Sequence, residues 1–191
     1  KYFVVEGKSI VISAPSGAGK TSIVRFLTDH EKSLRFSISA CTRSKRGNEV
    51  DGEDYYFLSE NEFKFRIANK EFLEWEQVYS NQFYGTLNSE LEKIWNNNNH
   101  VIFDVDAIGG INIKKKMHNN CLALFIMPPS LDVLSKRLKS RGTDSKENII
   151  TRLDKASQEI ALKDEFDHII VNDNLEIACQ ETLKLIESFI K

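Results

Sequence analysis

The chain has 191 residues, 41% of them hydrophobic, and a formal net charge of −2. Such a length and composition fit one well-cored domain with room for inserted subdomains and exclude a disordered chain, while the small charge excludes a global field drawing it to nucleic acid or a membrane surface. No apolar run approaches the roughly 18 residues of a membrane span, and no charged-then-apolar leader stands ahead of Lys1, so neither a span nor a secretion signal is expected.

The first element is the apolar run Ile10-Val11-Ile12, which reads as a buried strand. It feeds Ser13-Ala14-Pro15-Ser16-Gly17-Ala18-Gly19-Lys20-Thr21, where four residues separate Ala14 from Gly19-Lys20-Thr21. That is the spacing of a phosphate-binding loop, with Ala14 where the pattern writes Gly. Small residues keep the backbone close to phosphate, and the N–H groups of the loop and of the helix it opens would hold a polyphosphate. Lys20 would reach the β- and γ-phosphates and Thr21 would ligate Mg²⁺. An ordinary glycine-rich turn does not require Lys and then Thr after its last Gly. Ile23, Val24, Phe26 and Leu27 give the following helix its apolar face, and Asp29-His30 end it.

Leu34 to Ser39 alternates apolar and polar residues and predicts a half-exposed strand. The stretch Cys41 to Leu58 then places Arg43 and Arg46 in a turn-rich loop ahead of the aromatic Tyr55-Tyr56-Phe57. Guanidinium forks and tyrosine hydroxyls suit a monophosphate; a solvated basic loop is the other reading of this stretch. Ser59 and Glu62 predict a capping box for a helix running to about Asn69. Glu71 to Val78 predicts a strand with a face of three glutamates, either wet or with one glutamate turned into a pocket. Asn81 and Gly85 bracket Phe83-Tyr84 as a turn and short strand, and Leu87, Leu91, Ile94 and Trp95 mark a helix that Asn96 to Asn99 end.

Val101 to Asp106 is read as an apolar strand finishing in two carboxylates, with a helix over Ile111 to Met117. Ligands of α/β sheets lie beyond the carboxyl ends of strands, which brings Asp104 and Asp106 toward the phosphate loop. Cys121 to Met127 predicts another buried strand, closed by Pro128-Pro129, with Ser130 as the next N-cap. Arg137 and Arg141 share a helix face, Gly142-Thr143 break that helix, and Asp144 with Glu147 is expected to cap a new one carrying Arg152. These three arginines read either as surface charge or as a lid. His168 to Val171 is the last strand, ending at Asn172-Asp173, and Leu175, Ala178, Leu185 and Phe189 place a closing helix. Because strands and helices alternate, an α/β fold with a mostly parallel sheet follows.

The three cysteines, Cys41, Cys121 and Cys179, are odd in number and widely spaced, which argues for a reducing, cytoplasmic setting. His30, His100, His118 and His168 share no metal-ligand spacing and are expected at the surface, so a zinc site is not anticipated. Lys114-Lys115-Lys116 is expected to be a solvated helix face.

Together these stretches resemble the guanylate kinase family over nearly the whole chain, most specifically in the loop from Thr42 to Leu58. The resemblance implies a P-loop NTPase-type parallel sheet flanked by helices, its core in 1–36, 97–134 and 160–191, with an inserted small mixed GMP-binding subdomain at 37–96 and a helical lid at 135–159. It further implies transfer of the γ-phosphoryl of Mg·ATP to GMP or dGMP, giving ADP and GDP or dGDP, with these small molecules as partners and no nucleic acid or membrane. By resemblance Arg43, Arg46, Tyr55 and Tyr84 hold the GMP phosphate, while Ser39, Glu74, Thr86 and Asp106 read guanine. Asn172 and Asp173 border the adenine, Arg137, Arg141 and Arg152 are lid arginines, and Asp104 lies near Mg²⁺, directly or through water. Ala14, Cys41, Lys45 and Ile108 depart from the family's commoner Gly, Thr, Pro and Gln. A non-catalytic module of the same fold predicts a degraded phosphate loop, and another nucleoside monophosphate kinase would lack Glu74 and Asp106.

Overall fold

A computed structural model describes residues 7–79, 82–140 and 145–191. Asn81, Arg141, Gly142, Thr143 and Asp144, on which several expectations fall, lie outside the described residues.

The centre of the molecule is the strand β1, Ser9–Ser13, every residue of which is buried. Strands buried on both faces need continuous apolar runs instead of alternation, and the neighbours meet this condition. These are β7, His100–Asp104, and β8, Cys121–Met127. With β2, Leu34–Phe36, and β9, His168–Val171, they form a five-stranded sheet of order β2-β7-β1-β8-β9. All its pairings are parallel. The register sets Ile12 beside Asp104 and Ser13 beside Phe125, so the chain leaves β1 at the carboxyl end of the sheet, where its neighbours also end.

Helices α1, Lys20–His30, and α7, Leu175–Ile190, cover one face through Ile23, Leu27, Ala178 and Ile186. On the other face lie α3, Asn88–Trp95, and α4, Ala107–Met117, contributing Leu91, Ile94 and Ile113. The arginine-bearing helices α5, Leu131–Ser140, and α6, Lys146–Ile160, form their own small core of Leu134, Leu138, Ile149 and Ala156.

A second sheet, of order β4-β3-β6-β5, carries the residues between β2 and α3. Its strands are β3, Ala40–Cys41; β4, Tyr56–Phe57; β5, Phe72–Tyr79; and β6, Gln82–Leu87. Pairing is parallel between β3 and β4 but antiparallel for β3 with β6 and β5 with β6. Helix α2, Glu60–Ala68, packs on this sheet through Phe63, which is fully buried and stacks on Phe72 at 4.3 Å and Phe83 at 5.5 Å between ring centroids. Burying that one ring stabilises the subdomain by about 1.5–3 kcal/mol.

Several expectations are corrected. The strand predicted over Leu34 to Ser39 stops at Phe36, opposite Ile102 of β7; the Ser37 N–H still donates to the Ile102 carbonyl at 3.0 Å, and the chain then leaves for the second sheet, where β3 begins at Ala40. Strand β7 ends at Asp104; Asp106 instead caps α4, its Oδ1 accepting from the N–H of Gly109 at 2.8 Å. The cap of α6 is Ser145, whose hydroxyl accepts from Asn148 N–H at 3.2 Å, and not Asp144 with Glu147. His100 is half-buried in a strand, where its Nδ1 accepts from the Lys8 N–H at 3.1 Å. Lys114 is no solvated charge, since it pairs with Asp167 at 2.8 Å. Lys116 donates to the carbonyl of Leu73, tying α4 to β5. Finally, Glu71 does not share the face of Glu74 and Glu76: it precedes β5 and pairs with Arg66 at 3.2 Å.

Candidate active site

The phosphate loop runs from the buried end of β1 into α1. Gly17 and Gly19 have φ of 94° and 99°, a region side chains avoid, and Gly19 is the N-cap of α1 without any side-chain cap. Those first N–H groups of the helix are therefore left for a ligand. A Cβ on Gly19 would stand 2.3 Å from Nδ2 of Asn172. That amide donates to the carbonyl of Ala18 at 2.7 Å and so fastens the loop to the end of β9. The departure at Ala14 is harmless in this geometry. Its backbone is not left-handed, and its methyl group, 5% exposed, packs in the core beside Ile12 and Ala18.

Lys20, at the first position of α1, lies 2.5 Å from the carboxylate of Asp104 and donates to the carbonyl of Val105 at 3.0 Å. The carbonyl of Asp106 accepts from the Ser13 hydroxyl at 3.0 Å, which locks the end of β1 to the start of α4. Around the loop is a cleft of about 390 Å³, whose walls include Ala14 to Gly17, Thr21, Asp104 and Glu159. Thr21 and Asp104 offer it a hydroxyl and a carboxylate, the hard oxygen donors suited to Mg²⁺. Among the described residues no cluster of three His, Cys, Asp or Glu could hold a metal alone. One hydroxyl and one carboxylate would leave most of the shell of such an ion to phosphates and water.

A second cleft, about 250 Å³, opens between the two sheets and is lined by Ser39, Glu74, Glu76, Tyr84 and Gly109 together with Lys20, Tyr55, Asp104 and Asp106. The last four line both clefts, which therefore adjoin at Lys20, Tyr55, Asp104 and Asp106. Glu74 is only 6% exposed, and its Oε1 accepts from the hydroxyl of Thr86 at 2.9 Å. Burial pushes its carboxyl up to about 6, against the pull of the Thr86 hydrogen bond and with a further push from Asp106. Thr86 itself is fully buried and stands behind Glu74 instead of on the cleft wall. Glu76 is also raised, first by burial and then by its hydrogen bond to Asp106.

Arg43 and Arg46 stand outside the walls of this cleft. Arg43 is 8% exposed, with the Tyr55 ring 4.7 Å from its guanidinium carbon, and forms a two-pronged ion pair with Glu49 at 2.6 and 2.7 Å. Arg46 is exposed, and its backbone N–H donates to Glu49 at 2.8 Å. Tyr55 and Tyr84 meet edge to face at 6.3 Å, and burial raises the Tyr55 hydroxyl above its ordinary range.

At the other end of the phosphate loop, Arg137 donates to the carbonyl of Asn172 at 2.9 Å. With Gly17, Gly19, Asp173 and Leu175 these residues line a third cleft of about 360 Å³. Arg152 reaches from α6 to the Ser16 hydroxyl at 3.0 Å.

Glu76, Glu49 and Glu159 are not among the site residues expected from sequence, although Glu76 belongs to the glutamate face expected of β5. Glu76 was within reach, because two residues after Glu74 on a strand means the same face. Glu49 gave no signal, lying in an aperiodic loop. Glu159 sits on a helix with no motif; burial raises its carboxyl.

A model of the guanylate kinase family matches residues 6–189. A guanylate kinase of Porphyromonas gingivalis is 50% identical over 184 residues, covering 96% of this chain and 98% of that protein. One from Bacteroides fragilis is 49% identical over 185 residues, covering 97% and 91%. The crystal structure of guanylate kinase from Anaplasma phagocytophilum superposes with a TM-score of 0.75 at 26% identity, covering 96% of this chain and 86% of that one. A likeness of this extent takes in both sheets and both arginine-bearing helices as well as the phosphate loop, and this chain belongs to the guanylate kinase family.

Proposed function

We infer that the protein is an ATP-dependent guanylate kinase, transferring the γ-phosphoryl of ATP to the phosphate of GMP or dGMP to give ADP and GDP or dGDP. The observation that carries this reading is the meeting of two clefts at Lys20, one floored by the phosphate loop and the other ending in the buried carboxylate of Glu74. Guanine offers an N1–H and an exocyclic NH₂ side by side, and a carboxylate accepts from both. Thr86 fixes one oxygen of Glu74, Asp106 adds a second carboxylate, and Ser39 lies on the same wall.

In this reading the main chain from Ser13 to Thr21 holds the donor phosphates, with the adenine in the cleft of Arg137, Asn172 and Asp173. Arg43, Arg46, Tyr55 and Tyr84 hold the acceptor phosphate. Mg²⁺, when bound through Thr21 and Asp104, neutralises charge on the transferring group. Lys20 leaves Asp104 for the phosphate oxygens, and Arg137, Arg141 and Arg152 close over them from the segment 135–159 as a lid. The acceptor oxygen is already anionic, so no covalent nucleophile or general base is required; positioning and charge neutralisation supply the acceleration. The intact Lys20 and Thr21 weigh against a non-catalytic module, and the presence of both Glu74 and Asp106 against another nucleoside monophosphate kinase. The three buried free cysteines suit a cytoplasmic setting.

A coupled assay of ADP formation across GMP, dGMP, AMP, CMP, UMP and dTMP tests the reading. Turnover confined to GMP and dGMP is expected; equal or faster turnover of another monophosphate would overturn the assignment of the base.

A further inference from the structure

Glu49 has no part in the reaction as described above, yet it is paired with Arg43. Arg43 is nearly buried, with the rings of Tyr55 and Phe57 at 4.7 and 5.5 Å. A guanidinium in that position needs a fixed counter-charge. Glu49 supplies it end-on, its Oε2 accepting from Nη1 at 2.6 Å and its Oε1 from Nη2 at 2.7 Å, while the carbonyl of Ser44 accepts from Nη1 at 2.9 Å.

A guanidinium has five N–H donors in a fixed plane. These bonds use both hydrogens of Nη1 and one of Nη2. Beyond Glu49 and Ser44 remain the Nε–H and the outer hydrogen of Nη2, which lie parallel along a single edge; the guanidinium also bonds to the hydroxyl of Tyr55, a group that lines the acceptor cleft. Two parallel donors are what a phosphate accepts in bidentate fashion. Glu49 also holds the loop itself, since its carboxylate accepts from the N–H of Arg46 at 2.8 Å and its own N–H donates back to the Arg46 carbonyl at 3.1 Å. Lys45, between the arginines, imposes no backbone restraint of the kind a proline ring would.

We propose that Glu49 is a positioning residue for the acceptor phosphate: by occupying the end of the Arg43 fork and closing the turn at Arg46, it leaves one bidentate edge of Arg43 for phosphate. Glu49 stays in place when the acceptor binds; it is not a competitor that the phosphate displaces. The carboxyl of Glu49, held down to about 2 chiefly by the Arg43 hydrogen bonds, stays ionised through the range in which the enzyme would be assayed. The proposal rests on the reading of the acceptor as a nucleoside monophosphate.

The test is steady-state kinetics of Glu49→Gln, which keeps the shape but turns an NH₂ toward one prong of the fork, with Glu49→Asp as a second variant. For Glu49→Gln the KM for GMP is expected to rise about tenfold to a hundredfold, the effect of losing one charge-assisted hydrogen bond. The KM for ATP and kcat should stay within about threefold. Inhibition by guanosine, which has the base but no phosphate, should be unchanged. Glu49→Asp should fall between the two proteins, and it decides the matter if the Gln variant does not fold. A KM for GMP within twofold of wild type, or a lower one, would overturn the proposal, and so would an equal loss of guanosine affinity, which would mean a collapsed subdomain. If wild-type protein used another monophosphate in place of GMP, the reading of the base would fail alone, because the same KM comparison on that substrate still tests Glu49. No turnover of any monophosphate would overturn both.

Discussion

The two clefts that share Lys20 present their polar groups by different means. The loop after β1 offers backbone: two glycines with positive φ, an uncapped helix start, and a buried amide, Asn172, as its fastening. The second sheet offers side chains, with Arg43 fixed by Glu49 and Glu74 fixed by Thr86. Backbone donors need no counter-charge and are set by the path of the chain, whereas buried charged side chains must be paired before they can be aimed. The donor end should therefore be sensitive to anything that moves the main chain, and the acceptor end to the loss of single carboxylates.

The largest effect that tests this contrast is expected from Lys20, the one charged side chain of the donor loop. Lys20→Ala should lower kcat by about 10³-fold or more, as loss of a group that stabilises transferring charge does, with an unchanged circular dichroism spectrum. A loss below tenfold would mean that main chain alone suffices. At the acceptor end, Glu74→Ala removes two hydrogen bonds to a charged group, about 3 to 6 kcal/mol, or on the order of 10² to 10⁴ in kcat/KM for GMP. A loss below about fivefold would remove Glu74 from the base site.

Gly19→Ala forces a side chain into φ of 99° and into contact with Asn172. The left-handed backbone alone costs about 1–2 kcal/mol. Both a lower melting temperature and a raised KM for ATP are expected, with the KM for GMP little changed; a raised KM for GMP alone would contradict the division between the ends.

A smaller effect should appear with pH. The Glu74 carboxyl titrates at about 6 in the folded protein, and only its ionised form accepts two hydrogen bonds. Above that value recognition is intact; below it the proton blocks an acceptor, so guanosine should inhibit about tenfold less well at pH 5 than at pH 7. Guanosine is the proper probe because it lacks the phosphate that titrates in the same range. A flat profile would argue that Glu74 is not the group read by the base. Least of all should change in Ala14→Gly, where a buried methyl is lost at a site that needs no glycine: a stability loss of about 1 kcal/mol by thermal denaturation, with KM for ATP within twofold.

Glu74 illustrates where legibility ended. Its alternation with Phe72, Leu73 and Trp75 identified a strand, yet the pattern alone allowed a wet face as readily as a pocket. Burial came from β6 pairing alongside it and from α4 starting next to it, contacts made across the fold. The cap of α6 was ambiguous in a similar way: Asp and Ser both suit an N-cap, so residue type alone does not place the helix start, which lies after Ser145.

What the amino-acid sequence determined by itself was the order and kind of the main elements and the phosphate loop, though not every element's end. The phosphate loop needs small residues, Lys and Thr at fixed spacing, and the parallel sheet needs apolar runs between amphipathic helices; both are written in periodicity and conformational preference. Tertiary structure alone decided which charges are buried and with whom: Arg43 with Glu49, Glu74 with Thr86, Lys20 with Asp104, and Glu76 with Asp106. An ion pair or a buried carboxylate takes its energy from the dielectric and the partners around it, and those are fixed only when the chain folds back on itself, even for Arg43 and Glu49, where the rings of Tyr55 and Phe57 cover the guanidinium.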